Sequence, residues 1–186
     1  MVLCEMNPVP GSKREILLSV YQITSDLIAD HLVAARARGV RLTLWLEGTP
    51  VGGIPDAERY IAHRLHRAGA KVYFLRTDAK NRIRNRYRFD HSKYMIVDRE
   101  WLVVGTENYG RSGHPSDPSA GNRGWEIHIK EPRLVEELLE VWKDDFDPAH
   151  HNDVISLMAS PTDVYGLPFR QPWFRIGREP YRGGYT

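Results

Sequence analysis

Residues 91–98 read His91-Ser92-Lys93-Tyr94-Met95-Ile96-Val97-Asp98, with Gly105-Thr106-Glu107-Asn108 close behind and Asn122-Arg123-Gly124-Trp125-Glu126 further on. On an extended strand successive side chains alternate between faces, which places His91, Lys93 and Met95 on one side and Ser92 and Tyr94 on the other. A histidine and a lysine two residues apart can then address one ligand. Lysine supplies compact positive charge for a phosphate oxygen, and neutral imidazole supplies a nucleophile or proton carrier near neutral pH. The two-residue spacing is weak evidence by itself, because a solvent-facing strand end would show it as readily.

Working outward, the N-terminal side alternates strands with helices. An apolar run over 15–22 has the length and composition of a strand buried on both faces. Ser25 is placed to cap a helix whose Asp26 suits the positive end of the dipole, with Leu27, Ile28, Leu32 and Ala35 facing inward and Gly39 ending it. A second strand is expected over 41–46. A second helix follows from Pro55 and Asp56, with Ile61, Leu65 and Ala68 inside and Gly69 as its stop, and a third strand spans 71–75. Such an order predicts βαβ crossovers. Beyond it, short strands over 87–89, 94–97, 101–104 and 125–129 leave no room for helices between most of them. A helix from Pro132 to about 146 then presents Leu134, Leu138, Val141 and Trp142 to the core. The expected architecture is α/β, a mixed, largely parallel central sheet with helices on both faces.

The 186 residues suffice for one ordinary domain; 41% are hydrophobic and 27% charged, the balance of a soluble globular chain. No run approaches the roughly eighteen apolar residues of a membrane helix. The start lacks the pattern of a secretion signal, so a cytoplasmic location is favoured. Cys4 is the one cysteine, which excludes an internal disulfide. From 148 onward proline, glycine, aromatic residues and arginine dominate. We therefore divide the chain into a catalytic domain over 1–147 and a C-terminal extension over 148–186.

The quoted stretch resembles the phospholipase D superfamily. Its hallmark, H-x-K-x4-D-x6-G-[ST] followed by an asparagine two residues on, is met by His91, Lys93, Asp98, Gly105, Thr106 and Asn108. Asn122 and Glu126 fit the closing segment, and the element order over about 15–146 is that of a phospholipase D-like half. The resemblance implies that His91 attacks phosphorus and forms a phosphohistidine. Lys93 and Asn108 would hold the non-bridging oxygens. Glu126 would accept a hydrogen bond from the other imidazole nitrogen of His91. Asp98 belongs to the motif, and its expected part is to hold the local structure rather than touch substrate. Ser92 and Thr106 are candidates to line the pocket. No metal or other cofactor is implied.

Two departures follow from the same comparison. The family's complete site uses two such motifs, whereas only one is present: His114, His128, His150 and His151 have no lysine two residues on. A homodimer with two His91 residues facing across a two-fold axis, or a second half supplied elsewhere, would complete it. The first strand also starts so early that a helix usual before it has little room, which suggests truncation or a preceding domain.

Outside the motif, Arg82, Arg84, Arg86 and Arg88 alternate. On an extended segment they would form a cationic edge leading to His91, either a phosphate-tracking groove or a solvated loop. His150, His151 and Asp153 read as a polar turn rather than a metal site. Phe169, Trp173, Phe174 and Tyr181, interleaved with Arg170, Arg175, Arg178 and Arg182, could grip a nucleic acid strand or cover the domain. The substrate readings, in order, are nucleic acid, phospholipid, and a non-catalytic phosphate-binding module. The single motif, the arginine row and the basic aromatic tail put nucleic acid first; no amphipathic basic helix supports the lipid reading.

Overall fold

The computed structural model describes residues 14–77, 82–115 and 121–157. Cys4 and the aromatic-arginine tail beyond 157 lie outside them. In chain order the elements are β1 (Glu15–Val20), α1 (Asp26–Ala37), β2 (Arg41–Glu47), α2 (Asp56–Arg67), β3 (Lys71–Leu75), β4 (Lys93–Val97), β5 (Trp101–Gly105), β6 (Glu126–Ile129), α3 (Pro132–Asp145) and β7 (Val154–Ser156). All the strands form one sheet in the order β6-β5-β4-β1-β2-β3-β7.

β1 sits in the middle because both of its faces are apolar. Ile16, Leu18 and Val20 join a large cluster with Ile28 and Leu32 of α1 and Ile61 and Leu65 of α2. Leu17 faces the other way, into a cluster with Trp45, Tyr94 and the α3 residues Val135 and Trp142. There Trp142 meets Trp45 edge-on at 6.3 Å and stacks on Phe146 at 5.1 Å. Burying large apolar side chains of this kind stabilises a fold by roughly 2–3 kcal/mol each. Helices thus cover both faces, α1 and α2 on one and α3 on the other.

The helix ends follow their sequence signals. Ser25 Oγ accepts from the Ile28 N–H at the start of α1, and Gly39 takes a left-handed φ of 90° just past its end. At α3, Pro132 occupies the first turn and the Glu131 carboxylate accepts from the Leu134 N–H at 2.7 Å.

Several details depart from expectation. Only β1–β2 and β2–β3 pair in parallel; β4, β5, β6 and β7 all join antiparallel, so the parallel share is smaller than the alternating N-terminal half suggests. No strand forms over 87–89; the chain bends at 86–88, where Arg86 and Tyr87 are tied to distant acids. α3 turns Val135 and Trp142 inward and leaves Leu134 and Val141 almost half exposed, since the large rings of Trp142 and Phe146 fix its inner face. Leu27 of α1 is likewise exposed, and in α2 Ala62 rather than Ala68 is buried. The sheet and core also continue past residue 147: β7 closes the sheet beside β3, and Leu157 enters the main core.

Candidate active site

The parallel strands β1, β2 and β3 all point their C-terminal ends toward one edge of the sheet. The antiparallel β4 therefore begins at that edge, and β5 ends there beside the start of β6. His91 and Lys93 stand at this end, where open α/β sheets usually bind ligands. In register across the strands, Val20 faces Lys93, and Gly105 faces Glu126. The Tyr94–Val104 pairing sets Lys93 and Gly105 opposite each other in the same row. Lys93 and Glu126 thus share the α1 side of the sheet, with only the side-chain-free Gly105 between them.

His91 is exposed, and its imidazole lies edge-on to Tyr21, with ring centroids 4.7 Å apart. Partial burial and the positive charge of Lys93 hold its pKa below the ordinary histidine value, against the opposing pull of Asp90. The ring is therefore mostly neutral at physiological pH, the form with a lone pair to offer. Lys93 is 7% exposed. Its Nζ donates to the His91 carbonyl at 2.7 Å and lies 5.5 Å from the centre of the Tyr21 ring. Burial lowers its pKa, while the carboxylates of Asp90 and Glu107 favour the charged form.

The opposite face of the same segment is a rigid polar anchor. Buried Asp90 accepts from Ser19 Oγ at 3.0 Å, from the Ser92 N–H at 3.1 Å and from Ser92 Oγ at 2.6 Å. Its own N–H donates to Glu47 Oε2 at 2.7 Å, and Glu47 Oε1 takes the N–H and hydroxyl of Thr49. Ser92 is thus committed to Asp90 and Ser19, away from the His91 face, rather than lining a pocket. Asp90, Ser19, Glu47 and Tyr21 were not singled out from sequence. The one local signal was an aspartate two residues before a serine, the pattern of an Asx turn.

Asn108 is brought in by a second set of bonds. Tyr109 pairs with Ile23, donates its N–H to the Gln22 carbonyl at 3.0 Å and accepts from the N–H groups of Thr24 and Ser25 at 2.9 Å each. This stitches the loop after β5 to the β1–α1 connection. Gly110 makes the approach possible, because a Cβ there would sit 2.8 Å from Thr24 Oγ1. Asn108 Oδ1 is buried with no hydrogen-bond partner among the described residues. Glu126 Oε1 meets His128 Nε2 at 2.6 Å, and Oε2 is buried with no partner among the described residues. Among the described hydrogen bonds none joins Glu126 to His91, the contact the family resemblance implied; the imidazole two residues along the same strand face holds the carboxylate instead.

The remaining candidates divide. Thr106 is used structurally, its Oγ1 accepting from the Trp125 N–H at 3.1 Å. Asn122 Nδ2 donates to Glu107 Oε2 at 3.1 Å. Glu107 fits between Gly113 and Gly124, where a Cβ at Gly124 would overlap its Cγ. Asp98 lies at the other end of β4, roughly 17 Å from Lys93 at about 3.3 Å per residue. There its Oδ1 accepts from the N–H groups of Arg14 and Glu15.

Arg84 and Arg88 are exposed. Arg86 is tied within the fold: its Nε bonds the buried carboxylate of Asp153 at 3.1 Å and its Nη2 the Asp145 carbonyl at 2.7 Å. Nor do the arginines form one edge, for Arg82 takes a left-handed φ of 58° and the segment bends at 86–88. His150 pairs with Asp147, His151 with the Asp144 carbonyl and Asp153 with Arg86, so these three do not converge. No helix among the described residues is long and apolar enough to cross a membrane.

A family described as cardiolipin synthase, PLD-like domain, matches residues 9–145. Among solved structures the chain is similar to Nuc, a phospholipase D family member from Salmonella typhimurium, at 23% identity and a TM-score of 0.59, over 77% of this chain and 82% of that one. NucT from Helicobacter pylori aligns over the same shares at 14% identity and a TM-score of 0.60. A phosphatidylserine synthase from Haemophilus influenzae aligns at 13% identity and a TM-score of 0.53, over 86% of this chain and 38% of that one. At such identities these likenesses establish the fold. No curated protein matches the sequence.

Proposed function

This chain belongs to the phospholipase D superfamily, and from that premise we propose that it is a metal-independent nuclease working through a phosphohistidine at His91. The observation that carries the reading is an accessible, neutral-leaning imidazole beside the nearly buried ammonium of Lys93. One imidazole nitrogen attacks phosphorus as the bond to the leaving oxygen breaks. Lys93 and the Asn108 side-chain amide stabilise the non-bridging oxygens as charge builds on them. Water then attacks phosphorus, the P–N bond breaks and His91 is restored.

The leaving oxygen needs a proton, and the second histidine comes from another copy of the chain, or from a second half bearing its own motif. Exposed Arg84 and Arg88 and the phosphate chemistry of the site favour nucleic acid. The second reading, hydrolysis or transfer of a phospholipid headgroup, is supported by the description of the matching family. It uses the same chemistry on a different alcohol.

The test is cleavage of plasmid DNA, single-stranded DNA and a bis-aryl phosphodiester in excess EDTA, beside His91→Ala. EDTA-resistant cleavage is expected to fall by about a thousandfold or more in the variant, the scale of losing a nucleophile. Cleavage that survives the substitution would remove His91 from the mechanism. Activity confined to phospholipid vesicles would replace the nuclease reading with the lipid one.

A further inference from the structure

Segment 86–92 is held at both ends and leaves the Phe89 ring partly open to solvent between them. Arg86 and the Tyr87 hydroxyl are fastened to Asp153 and Asp145. Asp90 is fixed by Ser19, Ser92 and Glu47. Between these anchors Phe89 is 38% exposed. Its ring touches Tyr21 edge-on at 6.4 Å, and Tyr21 touches His91. The exposed guanidinium of Arg88 lies 5.8 Å from the centre of the Phe89 ring. A solvent-facing phenylalanine two ring contacts from the nucleophile contributes little to the core, and its backbone is too well anchored for the ring to drift. An aromatic face and an arginine, pre-positioned together, are what a nucleobase and its adjoining phosphate require.

We infer that Phe89, with Arg88, is a base-stacking platform that makes single-stranded nucleic acid the preferred substrate of this site. The inference rests on the nuclease reading and sharpens it. A base must leave its own stack to lie on the Phe89 ring; a single strand yields one readily, whereas a duplex holds its bases paired and stacked within the helix. A lipid surface is the less suitable partner, since Phe89 is flanked by Arg88 and the buried carboxylate of Asp90 rather than by further apolar residues.

The experiment compares a labelled single strand, the duplex of the same sequence and the baseless bis-aryl phosphodiester, using the full chain, Phe89→Ala and Phe89→Trp. The single strand should be cleaved about tenfold more efficiently than the duplex. In Phe89→Ala the ratio of single-strand to bis-aryl activity should drop about tenfold, mainly through KM, which lies within the range for losing one stacked base. Phe89→Trp, which keeps a stacking face, should restore the ratio. Equal cleavage of both DNA forms would overturn the platform, and so would an equal loss on every substrate accompanied by dissociation of a dimer. If no substrate is cleaved, the nuclease reading falls by itself. Fluorescence anisotropy then decides the platform separately: single-strand binding weakened by Phe89→Ala supports it. Binding only to anionic vesicles, or to neither, refutes it.

Discussion

The two ends of β4 are both crowded with charge, and they treat it oppositely. At the Asp98 end every group is answered. Asp98 takes the N–H groups of Arg14 and Glu15, the Glu15 carboxylate meets Arg41 at 3.4 Å and Arg99 at 3.0 Å, and Arg14 reaches Glu100 at 2.7 Å. At the His91 end the Glu58 carboxyl is fully buried beside the Ile23 N–H, and Asn108 Oδ1, Tyr109 Oη, His114 Nε2 and Glu126 Oε2 are buried with no hydrogen bond among the described residues. Each such atom costs about 1–3 kcal/mol in a fold. One end of the strand is spent on holding the sheet together and the other is stabilised at the expense of neighbouring elements, the usual division between scaffold and reactive site.

The sharpest way to break that contrast is to neutralise Lys93. Lys93→Met preserves length and removes the charge. Among the described residues no carboxylate lies within ion-pair distance of its Nζ, so no buried charge is stranded by the change, and the acceptor that loses its donor is the His91 carbonyl. Phosphodiester cleavage should fall by about a hundredfold or more, the scale of losing one donor to a developing oxyanion, while the melting temperature holds or rises. A variant that is both inactive and markedly less stable would mean that the His91 end also carries the fold.

Asp98→Ala should do the reverse. It removes an acceptor for two backbone N–H groups and puts alanine at a φ of 54°, where aspartate is better tolerated. A loss of about 2 kcal/mol in urea unfolding is expected, with activity per folded molecule retained. Loss of activity at unchanged stability would return Asp98 to the catalytic group.

Why the sequence disclosed some of this and not the rest follows from range. The alternation that put His91 and Lys93 opposite Ser92 and Tyr94 is local, and the strand preserves it. The capping of α1 by Ser25 is local too. Arg86, by contrast, reads as one of four equivalent arginines until Asp153 arrives from 67 positions away. β7 is a three-residue strand with no periodicity to detect, and it exists because β3 offers it an edge. Glu126 sits in the expected register against Gly105, but which imidazole it serves depends on side-chain geometry that spacing does not encode. Glu58 gave no signal at all, since an acidic residue in the first turn of a helix is ordinary on the surface.

Glu58 supplies the mildest and most specific test of the contrast. It is fully buried in α2, and its pKa is pushed well above the usual glutamate value, chiefly by burial and then by the nearby charge of Glu47, with the Ile23 N–H acting the other way. The unfolded chain releases this proton near pH 4.3; the folded one keeps it to higher pH. Across that window the folded state binds more protons than the unfolded state, so stability declines as pH rises from about 4.3 toward the folded pKa, and is flat on either side. Glu58→Gln keeps the shape and abolishes the titration. Thermal melts should therefore coincide near pH 4 and separate progressively toward pH 8, with the variant the more stable. Parallel curves at all pH values would show that Glu58 is ionised and compensated in the fold, and that the His91 end is better satisfied than its geometry indicates.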